Sequence, residues 1–180
     1  MSGGTTSIAA ISLSGVISGL SINYGSNKIS ADIIDYVAEK FGVQIGLQTA
    51  EKLKREISSL EDGDGLSLIV SGRDVKTGEV KTLSIRSDSI LQPIKQYYDK
   101  IYQIASEVIK KLPPETSAEI RRSGIYVSGV SSKAYGLEKY YTDKFGLKVS
   151  VAEDGLYSVA IGGGIAIADK ETLKKVCVDL

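Results

Sequence analysis

The chain has 180 residues, of which 42% are hydrophobic, so it is long and apolar enough to bury a sizeable core. It carries 22 lysine and arginine residues against 22 aspartate and glutamate residues. Because the basic residues are scattered, the sequence lacks the positive patch that nucleic-acid binding needs, and we predict no nucleic acid among its partners.

The residue types that are missing exclude several chemistries. The chain has no histidine and a single cysteine, Cys177, which excludes an internal disulfide, a cysteine-cluster zinc site and a histidine general base. No apolar run reaches the length of about 18 residues that a membrane span requires, and no basic stretch leads into an apolar one at the N-terminus. We therefore predict a cytoplasmic protein.

The sequence of the first residues indicates a turn. Met1 and Ser2 lead directly into two glycines and then into an apolar, β-branched run. A natural domain seldom starts inside a turn. The start is consistent either with a flexible N-terminal tail or with an upstream portion that has been removed or lost.

The first half of the chain alternates strand pairs and helices. Leu13-Ser14-Gly15 is typical of a hairpin turn between two strands. Ser26 or Ser30 is available to cap the first helix, and Gly42 to end it. Residues 61–65 break the second helix. The predicted strands are 5–12, 16–23, 66–72 and 80–86, the last two joined by a turn at 76–78. The predicted helices are 28–41 and a second one that starts at Leu47 or Thr49 and ends at Ser58.

A long helix follows, from Ser87 or Asp88 as its cap to about Leu112, where two prolines stop it. Apolar residues form two adjacent stripes along it, which indicates a helix buried between other elements rather than a coiled coil. Strand and helix then alternate: helix 115–121, strand 124–128, helix 137–145, strand 147–151, and an apolar helix or buried strand at 157–167.

Ligands of α/β sheets bind at the carboxyl ends of strands, and residues 128–132 lie at such a position between a strand and a helix. A plain turn that is rich in small residues would look the same. The motif alone does not separate the two interpretations.

The order of several motifs resembles MreB-type bacterial actin-like proteins over nearly the whole chain. Residues 3–13 resemble the second phosphate loop and the strand after it, without the aspartate that opens that loop in the family. Residues 46–54 resemble the GERTAE helix of the family, and residues 71–78 its GRD-x-x-TG hairpin. Further matches follow in the family order at 25–29, 112–125, 128–137 and 151–154, while 157–163 is closer to eukaryotic actin.

The resemblance implies a fold and a domain organisation. The fold class is α/β, the C-terminal half of an actin-like ATPase (ribonuclease H-like), with a mixed sheet and flanking helices plus a smaller α+β inserted lobe. The larger subdomain is expected at residues 1–26 and 94–180, and the smaller inserted subdomain at 27–93.

The resemblance also implies one wall of a site for ATP or ADP with Mg²⁺. Val130 and Ser131 replace glycines of the family, which narrows the approach of the backbone to adenine. The residues that carry over are, for phosphate, Gly3, Gly4, Thr5 and Thr6, and, for adenosine, Glu51, Lys54, Gly129, Val130, Ser131 and Ser132.

The implied function is that of a cytoskeletal filament protein in cell shape or intracellular organisation. The metal-holding aspartate of the family lies in its N-terminal half, so no catalytic and no metal-binding residue is assigned, and we expect no ATP hydrolysis by this chain alone. The implied partners are the N-terminal half, same-family subunits and membrane-associated proteins. A fragment of a heat-shock-type chaperone ATPase, or a stand-alone actin-fold binding module without turnover, remains an alternative.

Overall fold

A computed structural model of the protein describes residues 1–12, 15–61, 63 and 65–176. The predicted turn at Leu13 and Ser14, part of the predicted break at 61–65, and Cys177 lie outside these residues. The strands are β1 (Thr6–Ser12), β2 (Gly15–Ile22), β3 (Val43–Gln44), β4 (Ser67–Asp74), β5 (Val80–Arg86), β6 (Ile125–Val127) and β7 (Val149–Val151). The helices are α1 (Asn27–Phe41), α2 (Leu47–Ile57), α3 (Ser87–Lys110), α4 (Pro114–Ser123), α5 (Leu137–Phe145), α6 (Ser158–Ala168) and α7 (Lys170–Val176).

The N-terminal hairpin confirms the first predicted strand pair. β1 and β2 pair antiparallel from Thr6 opposite Ile22 to Ser12 opposite Gly15, with an irregularity between Ala10 and Ile11. A bulge of this kind increases the local twist of the pair.

Helix α1 confirms the prediction for residues 28–41 and begins one residue earlier. Its apolar stripe, with Ile29, Ile33 and Val37 buried, faces the core. The predicted side-chain cap is wrong: Ser26 is the N-cap residue but makes no capping hydrogen bond. The backbone carbonyls of the preceding segment have taken its place, because the amides of α1 at Asn27 and Lys28 donate to the carbonyl oxygens of Gly3 and Gly25.

The second predicted strand pair is also confirmed. β4 and β5 run antiparallel from Ser67 opposite Arg86 to Arg73 opposite Val80, and β3 adds a short third strand at the edge of β4. Val70 and Ile85 point into the core that this sheet shares with α1 and α2.

Helix α3 passes through the centre of the molecule, as its two apolar stripes predict. Ile90, Ile94, Tyr97 and Tyr98 are all at most 1% exposed. The predicted cap is wrong by one or two residues, because Ser87 is already the first helical residue. The predicted boundary between the subdomains, at residues 93 and 94, falls inside this helix, and the division into two subdomains stays a prediction.

Aromatic rings form a continuous chain beside α3. Tyr24 stacks on Tyr97 with ring centroids 5.3 Å apart, and Tyr97 meets Tyr98 edge to face at 5.0 Å. Tyr98 in turn contacts Tyr141 of α5 at 6.0 Å. Such pairs contribute about 0.5–1.5 kcal/mol each beyond the area they bury.

The last third confirms the predicted alternation of strand and helix. β6 and β7 are parallel, with Ile125 opposite Val149, and α5 forms the crossover between them. Residues 158–168 form a helix and not a buried strand, and α6 buries none of its residues: Val159 is 87% exposed. Among the described residues, no helix combines the length and the apolar character that crossing a membrane would require.

Candidate functional site

The segment before β1 folds back on itself and packs against the start of α1. The amide of Ser2 donates to the carbonyl oxygen of Thr5 at 2.8 Å, which closes a tight turn around the two glycines. The carbonyl oxygens of Ser2 and Gly3 accept hydrogen bonds from the amides of Ser26 and Asn27. Gly25 allows this approach, because a Cβ atom there would collide with the backbone of Gly3 and Gly4.

Two consecutive backbone donors of the turn have no partner among the described residues. Within the described part of the chain, the amides of Gly3 and Gly4 make no hydrogen bond. Gly4 is exposed, and nothing lies within 4 Å of the position that a Cβ atom would occupy on it. Successive free amides of a turn form a concavity that suits an anion. The Thr6 hydroxyl is not available to such a ligand, since it is buried and donates to the carbonyl oxygen of Tyr24 at 2.7 Å.

A polar cluster joins α1 and α2 next to this turn. The Lys54 ammonium donates to the Glu51 carboxylate at 2.8 Å, to the Ser30 hydroxyl at 2.8 Å and to the carbonyl oxygen of Ser26 at 3.2 Å. The Ser30 hydroxyl donates to the same carboxylate oxygen of Glu51. The positions i and i+3 on α2 place Glu51 and Lys54 on one face, as the sequence predicts.

The charge state of Glu51 follows from this cluster. Partial burial raises the pKa of its carboxyl, but the hydrogen bonds from Lys54 and Ser30 and the charge of Lys54 together outweigh burial. The net result is a pKa below the ordinary value, so Glu51 is a carboxylate at neutral pH. Its side chain is 41% exposed and can therefore still accept from a ligand.

The second wall of the site is the loop after β6. Gly129 has a φ of +99° and packs so closely on Met1 that a side chain there would collide with the backbone of Met1. Residues Val130–Lys133 form a short 3-10 turn, not the start of a longer helix. The Tyr98 hydroxyl fixes the turn by donating to the carbonyl oxygen of Ser131 at 2.7 Å. The Val130 side chain is 52% exposed and projects at the rim.

One cavity of about 420 Å³ brings these elements together. Four of the sequence-predicted residues line it: Glu51, Lys54, Val130 and Ser131. Gly129 and Ser132 are not among the lining residues, and the Ser132 hydroxyl donates to the carbonyl oxygen of Gly129 at 2.8 Å. Residues 3–6 do not line it, but they adjoin it through Ser26, which lines the cavity and is bonded to Ser2.

The residues that the sequence reasoning missed include Ser26 and Tyr98, which line the cavity, and Ser30, which bonds Lys54. A signal existed for Ser30, because a serine inside the apolar stripe of an amphipathic helix needs a hydrogen-bonding partner once it is buried. Ser30 is fully buried and finds its partners in Glu51 and Lys54.

The residues present fit the adenosine and phosphate parts of a nucleotide better than its metal. The site offers free backbone donors for phosphate oxygens and a paired carboxylate and ammonium for hydroxyl and base groups. Among the described residues, no group of three or more aspartate, glutamate, histidine or cysteine side chains comes together to hold a metal ion. A magnesium ion would need ligands beyond these residues.

Solved structures with the same fold define the class of protein. Crystal structures of MreB5 of Spiroplasma citri, one bound to AMPPNP and one to ADP, match the chain with a TM-score of 0.90 and 32% identity over 97% of the chain and 52–53% of theirs. The MamK double helical filament matches with a TM-score of 0.71 at 18% identity over 87% of the chain and 49% of its own, a likeness of fold alone. The fold is that of actin-like proteins.

Sequence comparisons identify the family within this class. Residues 1–175 match the family model described as MreB/Mbl protein. The cell shape-determining protein MreB of Escherichia coli is 34% identical over 92% of the chain and 48% of its own length, and Mbl of Bacillus cereus is 30% identical over 96% and 52%. The chain belongs to the MreB/Mbl family, and it spans about half the length of these relatives.

Proposed function

We propose that the chain serves as the C-terminal half of an actin-like cytoskeletal protein that acts in cell shape and contributes one wall of a nucleotide cleft. The relatives named above are cell shape-determining proteins, and the MreB5 structures contain AMPPNP or ADP. One observation in this chain carries the proposal. Among the described residues, the amides of Gly3 and Gly4 have no partner, and their turn adjoins a cavity that the Glu51–Lys54 pair and the turn after Gly129 help to line.

Each predicted residue has a role in this proposal. The amides of Gly3 and Gly4 would donate to the phosphate oxygens, while Thr5, whose amide already donates to the Ser2 hydroxyl, and Thr6 would hold the turn in shape. Glu51 and Lys54 would meet the ribose or the base. The backbone of Gly129 and Ser132 would shape the adenine wall, and Val130 and Ser131 would limit how deeply the base enters.

Turnover by this chain alone is not part of the proposal. Phosphoryl transfer depends on positioning and on metal-assisted neutralisation of charge, and the described residues bring no cluster of metal ligands to the cavity. We expect ADP to bind with millimolar affinity, which corresponds to about 4 kcal/mol.

A pair of substitutions at Gly4, one neutral and one charged, tests whether the phosphates bind there. The position is exposed and its surroundings are open, so Gly4→Asn and Gly4→Asp introduce side chains of the same shape that differ in charge. A carboxylate about 4 Å from a phosphate charge costs roughly 1 kcal/mol in water, or about fivefold in affinity. In NMR titrations, ADP should bind Gly4→Asp at least that much more weakly than Gly4→Asn, whereas adenosine should bind both alike.

Two results would contradict the proposal. Equal ADP affinities of the two variants would show that the phosphates do not bind next to Gly4. If neither ligand shifts the amide resonances of residues 129–132 in the unmodified chain, the nucleotide does not bind in this cavity. A phosphate-release assay on the same samples tests the expectation that no hydrolysis occurs.

Assembly is the second part of the proposed function. We propose that part of a protofilament contact with same-family subunits lies on this half. Contacts between actin-like halves bury surface from both partners, and interfaces below about 1,000 Å² are usually transient. A chain that supplies only part of such a contact is expected to associate weakly.

A further inference from the structure

Ser26 is a buried residue whose hydroxyl has no hydrogen-bonding partner within the described part of the chain. The residue is 2% exposed, and its side chain makes no capping bond although it is the N-cap residue of α1. The large majority of buried polar side chains in proteins are hydrogen-bonded. An unpaired hydroxyl at this position therefore calls for a physical explanation.

The local backbone accounts for the missing cap. An N-cap serine usually has an extended backbone, which brings its hydroxyl oxygen to the amides of the second or third helical residue. Ser26 instead has a φ of −66° and a ψ of −12°, in the right-handed helical region. The amides of Lys28 and Ile29 donate to the carbonyl oxygens of Gly25 at 3.0 Å and Ser26 at 3.1 Å. The first turn of α1 thus satisfies these amides without the Ser26 hydroxyl.

The backbone of Ser26 is held from two sides. Its amide donates to the carbonyl oxygen of Ser2 at 3.0 Å, and its carbonyl oxygen accepts from the Lys54 ammonium at 3.2 Å. Ser26 therefore lies between the turn of residues 2–5 and the Glu51–Lys54 pair. Both of its backbone polar groups are used, so the side-chain hydroxyl is the group that remains for a ligand.

Ser26 lines the cavity of about 420 Å³ together with Glu51 and Lys54. In a nucleotide the ribose joins the phosphates to the base. If the amides of Gly3 and Gly4 receive the phosphates, a residue between them and the Glu51 carboxylate lies where the sugar belongs. A serine hydroxyl can donate one hydrogen bond and accept others, and a sugar hydroxyl has the same capacity.

We propose that Ser26 is a specificity-determining residue whose hydroxyl bonds a ribose hydroxyl of the bound nucleotide, beside the Glu51 carboxylate. This inference rests on the proposed nucleotide site and adds to it a residue and the part of the ligand that this residue recognises. A site that is built to hydrogen-bond a ligand hydroxyl discriminates against the analogue that lacks it. The chain should therefore prefer the ribonucleotide to a deoxy analogue, and Ser26 should carry part of that preference.

Stability measurements separate a ligand-binding hydroxyl from a structural one. Without nucleotide, a buried hydroxyl that lacks a partner is a cost to the fold, so Ser26→Ala should leave the midpoint of urea unfolding unchanged or raise it. Ser30→Ala is the matched control, because the Ser30 hydroxyl bonds both Glu51 and Lys54, and its loss should lower the midpoint. The proposal is overturned if Ser26→Ala lowers the midpoint as much as Ser30→Ala does.

A binding cycle tests the assignment to the ribose. ADP, 2′-deoxy-ADP and 3′-deoxy-ADP are titrated by NMR into the unmodified chain and into Ser26→Ala. Loss of one hydrogen bond should weaken ADP binding roughly three- to tenfold. For the analogue that lacks the partner hydroxyl, the two proteins should bind alike. Ser58→Ala serves as a control: among the described residues, Ser58 also lines the cavity, but its backbone bonds that of Tyr135 and not the turn of residues 2–5. It should affect all three nucleotides equally.

The outcomes distinguish this inference from the proposed function. If ADP shifts the amides of residues 129–132 but binds Ser26→Ala as tightly as the unmodified chain, the nucleotide site stands and the role of Ser26 is wrong. The same holds if Ser26→Ala weakens ADP and both deoxy analogues by the same factor, because the hydroxyl then acts on another part of the ligand. If ADP shifts none of these amides in the unmodified chain, the nucleotide site and the role of Ser26 both fail.

Discussion

The hydroxyl of Tyr98 should fix the turn at residues 130–133 after β6, and Tyr98→Phe isolates that contribution. The substitution keeps the ring and its packing against Tyr97 and Tyr141 but removes the 2.7 Å hydrogen bond to the carbonyl oxygen of Ser131. Tyr98 is 1% exposed and Ser131 5% exposed, so the bond that the substitution removes is a buried one. A buried acceptor left without a partner costs about 1–3 kcal/mol.

The measurement is urea denaturation of the variant beside Tyr157→Phe. Tyr157 is 65% exposed, and its hydroxyl makes no hydrogen bond within the described part of the chain, so its loss should cost less than about 0.5 kcal/mol. For a chain of this length, a loss of roughly 2 kcal/mol lowers the unfolding temperature by about 4–8 °C. Exchange of the Gly129 and Ser132 amides, which bond Gly155 and Gly129, should accelerate only in Tyr98→Phe. Equal stability of the two variants, with unchanged exchange at Gly129, would refute the reasoning.

Three further predictions concern the core, the pH dependence and the assembly. Leu53→Ala empties a fully buried position of α2 and should cost about 2–5 kcal/mol in chemical denaturation, whereas Leu47→Ala, at a 61% exposed position, should cost less than about 0.5 kcal/mol. Because the folded pKa of Glu51 lies below its ordinary value of 4.5, its carboxylate stabilises the fold above that pH and loses the effect as the pH falls through the folded pKa. The stability advantage of the unmodified chain over Glu51→Gln should thus be present at neutral pH and shrink in acid, and a constant difference across urea titrations would contradict it. The chain alone should sediment as a monomer or weak oligomer at micromolar concentration, and ordered filaments in electron micrographs would show this expectation to be wrong.

Helices with a clear period could be predicted closely from the sequence. The predicted bounds of α5 match the observed ones, and those of α1 differ by one residue. Period and a terminal glycine suffice here because each helix buries one stripe on a single core. The caps were predicted less well, because tertiary contacts can take the role of a local side chain, as the carbonyl of Gly3 does at the start of α1.

For helix α6, the sequence could predict neither the type of secondary structure nor its exposure to solvent. Its residues are almost all apolar or glycine, so neither a period of 3.6 nor a period of two stands out, and helix and buried strand could not be told apart. Its exposure was not predictable either, because burial depends on what the rest of the chain covers.

The sequence suggests individual residues of the candidate site but not the hydrogen bonds that connect them. Glu51, Lys54 and the turn after β6 follow from family motifs, and four of the residues line one cavity. The contacts that hold them come from Ser30 and Tyr98, which lie 24 and 33 residues away along the chain from the partners they bind. Spacing in a sequence carries no information on such pairs.

The chain of tyrosine rings has a spectroscopic consequence. The protein has ten tyrosines and no tryptophan, so its near-ultraviolet absorption and circular dichroism arise almost wholly from tyrosine. Tyr97 and Tyr98 couple to their neighbours at 5.0–6.0 Å, and the Tyr98 hydroxyl is bonded to the turn at the cavity. Fixed, closely spaced rings give the strongest dichroic bands, so the near-ultraviolet spectrum of the unlabelled protein should report the order of the turn after β6.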